Sequence, residues 1–346
     1  MDWNRKGASP ATIAGAYGSS VRDTITVAVA NFPVQAGNVG ANLAQIEAYL
    51  HQAAAAGADL VVLPELCLTG YDDPEGTPFA QKAPVRLAEP VPGPSSRQVA
   101  ALARELGLWA VFGLPEQEAT RGGSPAVGEA VRVYNAACIV SPTGVVGTYR
   151  KIHPFGRENE WATAGCDPCV FDTPWGPIGL GICYDLYSFP EMVMYARAKG
   201  ARLFLNPTAV SWAVSAADVF RAKIEVTCLR GNLYVATANL QGPDRTSTFV
   251  GQSHIIGPLG PRNSVRYLAG VPFSEQPETA PGLRVATLDL SAVEDQGAWN
   301  LHVFESNPLT GRPDWRPELY ARWFAEIAAD PAWRSRFRGT PYRPGC

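Results

Sequence analysis

The apolar run ADLVVLPEL, residues 58–66, decides the fold that we predict for this chain. Its central part LVVLP (60–64) contains no polar residue and leads into Glu65, and such a run is typical of a central strand that is covered on both faces. Apolar residues at helical spacing precede it over 42–57, and a glycine ends that predicted helix. A second helix and strand follow at 95–107 and 109–116. The chain therefore alternates strands with helices and is predicted to be an α/β protein.

The same alternation continues for about two hundred further residues. Further strands are predicted at 25–34, 177–185, 202–207, 233–239, 251–260 and 283–290, a hairpin at 133–151, and helices at 188–200 and 216–231. No linker divides this series, so we predict one domain over residues 24–297. A mobile leader rich in Gly, Ala, Ser and Thr precedes it at 1–23, and a tail rich in Trp, Arg and Pro follows at 298–346. We expect the tail to be disordered or to contact another subunit.

Composition excludes several classes of protein. The 346 residues are 46% hydrophobic and 18% charged, which suits a sizeable core and not a disordered polyelectrolyte. The net charge is −3 and no cluster of Lys and Arg stands out, so no nucleic-acid surface is expected. No apolar run is long enough to span a membrane. Because the leader also lacks the apolar stretch of a signal peptide, we expect a cytoplasmic protein.

The cysteines are predicted to be reduced and, with one exception, structural. There are seven of them, an odd number in a long chain without a signal peptide. Cys166 and Cys169 form a C-x-x-C with Pro168 in a predicted loop, and the chain contains only four histidines. A lone pair of this kind is a weak metal signal. We therefore predict no metal site, and the exception among the cysteines is Cys183.

Three predicted strand ends each present a different reactive group. Glu65 follows LVVLP, Lys151 follows VVGTYR, and Cys183 follows IGLGI. Sites in open α/β proteins gather at strand ends. A thiol nucleophile needs a base, and it needs a cation or donors where negative charge develops. The residues alone also allow another interpretation, in which Glu65 and Lys151 are solvated and Cys183 is an inert buried thiol.

Motifs around these three residues resemble those of the nitrilase-superfamily carbon–nitrogen hydrolases. PELCLTGY (64–71) resembles their glutamate box, YRKIHPFGRE (149–158) their lysine box, and GICYDLYSFPE (181–191) their cysteine elbow. The late segment GQSHIIGPLG (251–260) is also similar. The resemblance covers roughly residues 25–320 and keeps the order Glu, Lys, Cys.

The resemblance implies that Glu65, Lys151 and Cys183 form a catalytic triad. Cys183 would be the nucleophile that forms a thioester, and Glu65 the general base that accepts the thiol proton and later activates water. Lys151 would stabilise the tetrahedral oxyanion together with the backbone N–H of Tyr184. Glu158 matches a second glutamate of the family, which orients the lysine and the substrate nitrogen.

The resemblance also carries expectations about fold, partners and substrate. Glu160 competes with Glu158 for the role of second glutamate, because the spacing after the lysine varies within the family. The implied fold is a four-layer αββα sandwich. The implied substrate is a small linear amide, with no metal or organic cofactor and no nucleic-acid or membrane partner. A homodimer or larger homo-oligomer is expected, paired through the helices near 188–200 and 216–231.

Departures from the family's pattern narrow the expected substrate. Relatives often place an arginine in the elbow, and this chain has Tyr187 and Ser188 there. An arginine fork is the usual partner of a substrate carboxylate, so we expect an amide that lacks a carboxylate close to the reacting carbon. Arg230 stands where relatives commonly have a glutamate, and it either contacts substrate or forms a structural ion pair.

Four aromatic residues that follow the motif segments are candidates for the pocket wall, because aromatic side chains dominate ligand clefts. They are Tyr71, Trp161, Tyr187 and Trp212. Ordinary core packing is the alternative interpretation of these side chains.

Three other reactions remain open at this stage. N-carbamoyl amide hydrolysis, nitrile hydrolysis and acyl transfer to an amine all fit the same triad, although nitrilases usually carry Cys-Trp-Glu where this chain has Cys-Tyr-Asp. A binding module that lost the chemistry is disfavoured, because all three triad residues are present.

Overall fold

A computed structural model of the chain describes residues 21–71, 73–118, 131–211, 217–257, 265–274, 280–293, 303–304, 307 and 309–335. The chain divides into two compact units, Met1–Asp295 and Gln296–Cys346. Most of the predicted leader lies outside the described residues, so its mobility stays a prediction. Trp212, one of the four aromatic candidates, also lies outside them.

The first unit contains every strand that the structure describes. The strands are β1 (Thr24–Asn31), β2 (Leu60–Val62), β3 (Trp109–Gln117), β4 (Val133–Ser141), β5 (Gly144–Arg150), β6 (Cys169–Thr173), β7 (Gly176–Leu180), β8 (Leu203–Thr208), β9 (Tyr234–Asn239), β10 (Gln241–Pro243), β11 (Thr248–Val250), β12 (His254–Gly257), β13 (Arg266–Ala269) and β14 (Gly282–Asp289). The helices are α1 (Val39–Ala55), α2 (Ala83–Arg86), α3 (Pro94–Leu106), α4 (Tyr184–Ser188), α5 (Pro190–Ala198) and α6 (Ala217–Gly231), followed in the second unit by α7 (Pro317–Ala329) and α8 (Pro331–Ser335).

Two six-stranded sheets form the body of the first unit. Their strand orders are β14-β1-β2-β3-β4-β5 and β13-β12-β9-β8-β7-β6. In the first sheet β1, β2 and β3 run parallel, and in the second sheet β7, β8 and β9 run parallel. The remaining strands join antiparallel at the edges. Each parallel group ends in one of the reactive segments that the sequence singled out.

Alternating side chains of the strands divide the core into two parts. Val27 and Val29 of β1 face the second sheet and share a cluster with Phe171 and Leu180. Ala28 and Ala30 of the same strand face α1 and α3. Residues of α5 and α6 cover the outer face of the second sheet. The layers therefore run helix, sheet, sheet, helix, which confirms the predicted αββα sandwich.

The segment around the predicted elbow is more broken than the sequence suggested. The strand expected over 177–185 ends at Leu180 and is followed by α4, whereas the helix expected over 188–200 is present as α5. Phe189 lies between them with φ −125° and ψ 85°. Proline disfavours a helical conformation in the residue before it, and Pro190 follows here.

The cysteines differ in one respect from the prediction. Cys67, Cys138, Cys169, Cys183 and Cys228 are buried free thiols. Cys166 is disulfide-bonded, so the prediction of reduced cysteines is wrong for that residue. Because Cys169 is a free thiol, the C-x-x-C residues are not bonded to each other.

The second unit contains a helix that the sequence did not predict. Helix α7 spans Pro317–Ala329, and its rings Tyr320 and Trp323 are in tilted contact. Large apolar side chains on this helix are exposed, among them Phe324 and Ile327. Among the described residues, no helix combines the length and the apolar character that a bilayer crossing needs.

Candidate functional site

Glu65 lies in a turn three residues after β2, and β3 holds this turn closely. The side chain of Glu65 is completely buried. The N–H of Gly113 donates to the carbonyl of Pro64 over 3.1 Å. A Cβ at Gly113 would lie 2.3 Å from the backbone nitrogen of Leu66, which no side chain can tolerate. The glycine in β3 is therefore what allows the glutamate turn to dock on the sheet.

Lys151 directly follows β5 and continues the pairing of that strand with β4. Its N–H donates to the carbonyl of Asn135 over 2.8 Å, and its carbonyl accepts from the N–H of Gly165 over 2.8 Å. The side chain is completely buried. A lysine is almost never fully buried unless its charge is paired, and here the pairing partners are the two glutamates described below.

Cys183 begins α4 in a strained conformation. Its φ is 50° and its ψ is −106°, outside the regions that a residue with a Cβ usually adopts. The conformation is held because the N–H of Cys183 donates to the carbonyl of Pro207 over 2.9 Å. The sulfur is hydrogen-bonded by the side chain of Thr208 and the backbone of Ala209. Such outliers cluster at functional sites.

Four buried side chains form a closed set of hydrogen bonds, which we call the polar ring: Glu65, Asn135, Lys151 and Glu158. Lys151 Nζ donates to Glu65 Oε1 over 2.6 Å and to Glu158 Oε1 over 2.7 Å. Asn135 Nδ2 donates to the same Oε1 of Glu65 over 2.7 Å and to Glu158 Oε2 over 3.0 Å. Among the described residues, no donor reaches Glu65 Oε2. The ring therefore fixes both carboxylates and leaves one oxygen of Glu65 available.

Burial and charge compete within the polar ring. Burial raises the pKa of Glu65 to about 7, against the lowering effect of the Lys151 charge, while Glu158 raises it further. Burial alone would lower the pKa of Lys151, but the negative charges of Glu158 and Glu65 outweigh burial and raise it. Lys151 is therefore a permanent cation at neutral pH, and Glu65 titrates in the range where a general base is useful.

The thiol of Cys183 is protonated in the resting protein. Burial raises its pKa, and the nearby charge of Glu65 raises it further, while Lys151 and the hydrogen bond from Thr208 lower it. The electrostatic effect of both charges shows that the sulfur lies within reach of the polar ring. Since a thiol is a poor nucleophile compared with its thiolate, this cysteine needs a neighbouring base to accept its proton.

Asp185 joins the lysine segment to the cysteine segment. Its Oδ2 accepts from the hydroxyl of Tyr149 over 2.7 Å and from the N–H of Ile182 over 3.1 Å. Its Oδ1 accepts from the N–H of His153 over 3.0 Å. Because Asp185 is completely buried, these bonds form in a low-dielectric setting and hold the two segments in register.

The structure separates the two candidates for the second glutamate. Glu158 is buried in the polar ring, and the hydroxyl of Tyr71 also donates to its Oε1. Glu160 lies at the surface, where its side chain is 42% exposed and pairs with Lys82 over 2.6 Å. Only Glu158 therefore has the geometry to orient the lysine.

The aromatic candidates divide between the site and its surroundings. Tyr71 contacts Glu158 directly, as described above. Trp161 is buried against Leu66 and Val133, and it also lines the opening described below. Tyr187 is buried, and its hydroxyl donates to Thr208 Oγ1 over 2.9 Å. Tyr187 is therefore connected to the Cys183 sulfur through one intervening hydroxyl, which the sequence did not suggest.

Two other predicted residues have less specific positions. Tyr184 is the first residue of α4, so its N–H has no carbonyl partner within that helix. Arg230 is exposed in the last turn of α6, so the structure places it on the surface of the sandwich.

An opening next to the polar ring is lined by six side chains: Tyr71, Asp73, Lys82, Arg157, Glu158 and Trp161. Lys82 is buried although it is charged. The elbow lacks the arginine that relatives often place there, but two cations line this opening: Lys82 from the loop before α2 and Arg157 from the turn after Lys151. The expectation of an amide without a carboxylate close to the reacting carbon stays a prediction.

Asn135 is the residue of the site that sequence reasoning missed. It is a single polar residue inside the apolar run VYNAACIV (133–140), and a buried polar side chain in such a run signals a partner. Asp185 was quoted within the elbow motif but was not given a role. Its partners come from a segment more than thirty residues away, which spacing along the chain does not show.

Comparison with known proteins bears on the family and the fold. A model of the carbon-nitrogen hydrolase family matches residues 26–296. A hydrolase of Pseudomonas protegens is 33% identical over 321 residues, which cover 90% of this chain and 96% of that protein. An omega-amidase of Danio rerio is 31% identical over 232 residues, which cover 63% of this chain and 76% of the relative. A crystal structure of an amidase from Nesterenkonia sp. has a TM-score of 0.62 and 24% identity, covers 88% of this chain and 99% of that one, and shares the fold.

Proposed function

We propose that this chain, which belongs to the carbon–nitrogen hydrolase family, hydrolyses a linear amide to an acid through a thioester on Cys183. The observation that carries the proposal is the polar ring, in which both donors bind Oε1 of Glu65 and none of the described residues binds Oε2. An otherwise buried carboxylate oxygen without a donor suits the acceptance of a proton. A purely structural carboxylate would be expected to have both oxygens paired.

In the first half-reaction, Glu65 Oε2 takes the proton of the Cys183 thiol while the sulfur attacks the carbonyl carbon of the amide. A bond forms between sulfur and carbon, and the carbonyl oxygen becomes an oxyanion. Lys151, whose pKa is raised by its two carboxylate neighbours, and the N–H of Tyr184 stabilise this charge. The carbon–nitrogen bond then breaks, and the nitrogen leaves as ammonia or an amine with the proton returned by Glu65.

In the second half-reaction, water replaces the departed amine. Glu65 Oε2 takes a proton from the water, whose oxygen attacks the thioester carbon. The second tetrahedral intermediate collapses, the carbon–sulfur bond breaks, and the acid leaves. Cys183 recovers its proton from Glu65. No external oxidant, reductant or metal is needed to balance either step.

Glu158 and Asn135 hold the reacting groups and take no proton in this scheme. Glu158 also binds Lys151, so the ammonium keeps a carboxylate partner when Glu65 becomes protonated. Asn135 restrains both carboxylates through one amide nitrogen. Fixed donors and charges of this kind cost no reorganisation during the reaction.

The proposed amide bond is supported by two relatives, which are named an omega-amidase and an amidase. The test is an assay of ammonia release from simple linear amides, N-carbamoyl compounds and nitriles, combined with intact-mass measurement after rapid acid quenching. We expect turnover of amides, and a mass adduct of one acyl group that is absent in Cys183→Ala. Hydrolysis without any adduct under single-turnover conditions would contradict the thioester. Faster turnover of nitriles or N-carbamoyl compounds than of amides would mean that one of these, and not a linear amide, is the substrate class.

The fate of the thioester can be measured in the same reactions. Addition of hydroxylamine diverts part of the acyl group to a hydroxamate if an amine can reach the thioester in place of water. When no hydroxylamine is added, we expect the acid to be the main product. A product that forms only when an amine acceptor is supplied would make the chain an acyltransferase.

A further inference from the structure

Two cations at the opening share a single carboxylate. Lys82 Nζ lies 2.6 Å from Glu160 Oε2, and Arg157 Nε lies 3.3 Å from Glu160 Oε1. Glu160 is 42% exposed, whereas the side chain of Lys82 is only 5% exposed. The three residues carry a formal charge of +1 together. A buried ammonium paired only with an exposed, water-accessible carboxylate is incompletely compensated.

Two further acids among the described residues line the opening, and both already have cationic partners. Glu158 is paired with Lys151 in the polar ring. Asp73 Oδ1 forms an ion pair with Arg245, and Asp73 Oδ2 accepts from the N–H of Ala83 over 2.8 Å. Asp73 and Arg245 therefore cancel each other. Within the described part of the chain, the excess positive charge at the opening belongs to Lys82 and Arg157.

The polar ring has an excess of negative charge. Glu65 and Glu158 are two carboxylates around the single ammonium of Lys151, so the ring carries −1 when both are ionised. An anionic group close to the scissile carbonyl would be repelled by this charge. An anionic group at the opening would be attracted. The rings of Tyr71 and Trp161 line the same opening and offer apolar surface to a substrate.

We propose that the opening is an anion subsite, in which Lys82 and Arg157 bind a carboxylate at the far end of the substrate's acyl chain and Glu160 occupies that position when no substrate is bound. This inference rests on the proposed amide hydrolysis. The substrate class is a linear amide with an apolar spacer and a distal carboxylate. It agrees with the expectation that no carboxylate lies close to the reacting carbon.

The experiment compares matched amides that differ only in the distal charge. Butanamide, pentanamide and hexanamide are paired with succinamate, glutaramate and adipamate, and kcat/KM is measured for each pair. For the best pair, Lys82→Met should lower the ratio of charged to neutral kcat/KM about tenfold, or about 1.4 kcal/mol. Lys82→Arg keeps the cation and should restore most of the ratio. Glu160→Gln removes the competing carboxylate and should raise the ratio about threefold, the size expected of an exposed ion pair.

Binding of a dicarboxylate tests the subsite without turnover. Calorimetry with adipate, the acid that adipamate would yield, should show binding to the wild type and weaker binding to Lys82→Met, with melting temperatures confirming that the variants fold. If no amide is hydrolysed but adipate binds through Lys82, only the proposed reaction fails. If neutral and charged amides are hydrolysed alike and adipate does not bind, only the subsite fails. A lower ratio in Glu160→Gln would also overturn the subsite.

Discussion

The polar ring consists wholly of buried side chains, whereas the opening beside it also has exposed charges. In the ring, Glu65 and Lys151 are both 0% exposed. At the opening, Arg157 and Glu160 are 41% and 42% exposed. Glu65, Asn135 and Lys151 lie on strands or within three residues of a strand end, whereas Arg157 and Glu160 belong, with Glu158 of the ring, to a short turn at Gly156–Glu160.

This difference in burial separates two kinds of effect. Coulombic interactions weaken in proportion to the effective dielectric constant, so a lost charge in the ring is costly and a lost charge at the opening is mild. The ring should therefore govern whether the reaction occurs, and the opening should govern which amide reacts. The following substitutions test this separation, beginning with the largest expected effect.

Cys183→Ala should abolish turnover and leave the fold intact. The reason is that no thioester can form without the sulfur, and loss of a nucleophile typically costs several orders of magnitude. The rate of ammonia release and the melting temperature are the measurements. Cys169→Ala is the matched control, because Cys169 is also a buried free thiol but lies at the start of β6. Activity of Cys183→Ala within about tenfold of wild type would remove the nucleophile assignment.

Glu65→Gln should prevent the thioester from forming as well as from hydrolysing. The glutamine cannot accept the thiol proton, and general base catalysis contributes about 10²–10⁴-fold. Intact mass of the quenched reaction reports the first step. Glu105→Gln, an exposed position on α3, is the control. Normal build-up of the acyl-enzyme in Glu65→Gln would restrict this glutamate to the second half-reaction.

Asn135→Leu should lower kcat about tenfold to a hundredfold, since a hydrogen bond to a charged group contributes about 1.5–3 kcal/mol. Asn31→Leu is the control, because Asn31 is also buried in a strand and donates to Gln241 outside the ring. An equal loss of kcat in both variants would mean that the effect comes from the core and not from Glu65.

The pH profile distinguishes positioning from simple destabilisation. Burial raises the pKa of Glu65 to about 7, so wild-type kcat/KM should fall as the pH falls through this value and Glu65 is protonated. The Asn135 hydrogen bond lowers that pKa. Its loss in Asn135→Leu should therefore move the acid limb to higher pH. An unchanged acid limb would leave Asn135 without an electrostatic role.

Local sequence pattern located some residues of the site and missed others. Glu65, Lys151 and Cys183 each end a regular strand run inside a short motif, so local pattern located them. Asn135 was missed because its partners, Glu65 and Glu158, lie in two separate turns of the chain that only the fold brings together. Helix α4 was missed because the apolar run of β7 continues to Cys183, so one strand was predicted as far as residue 185.

The opening was beyond the reach of sequence pattern. Lys82 and Glu160 are 78 positions apart in the chain, and neither lies in a periodic segment. Their pairing depends on how a loop before α2 packs against the turn after Lys151. The roles of the tail and the expected homo-oligomer stay predictions for a similar reason, because both concern contacts that a single chain does not contain.

The smallest expected effect belongs to Arg157. Arg157→Gln should lower the ratio of charged to neutral kcat/KM only about twofold to threefold, because an exposed ion pair contributes about 0–1 kcal/mol. Lys82→Met should have the larger effect, since Lys82 is buried and screened less by solvent. Arg132→Gln is the control, because Arg132 is 56% exposed and pairs with Glu118 away from the opening.

Salt provides the decisive comparison between these two cations. Raising sodium chloride from about 50 mM to about 500 mM shortens the screening length from roughly 14 Å to roughly 4 Å. The effect of Arg157→Gln on the ratio should then vanish, because an exposed charge is screened. The effect of Lys82→Met should persist, because a charge without water around it is screened much less. If both effects vanished together, Lys82 would behave as a surface charge, and the division between a buried centre and an exposed opening would not extend to it.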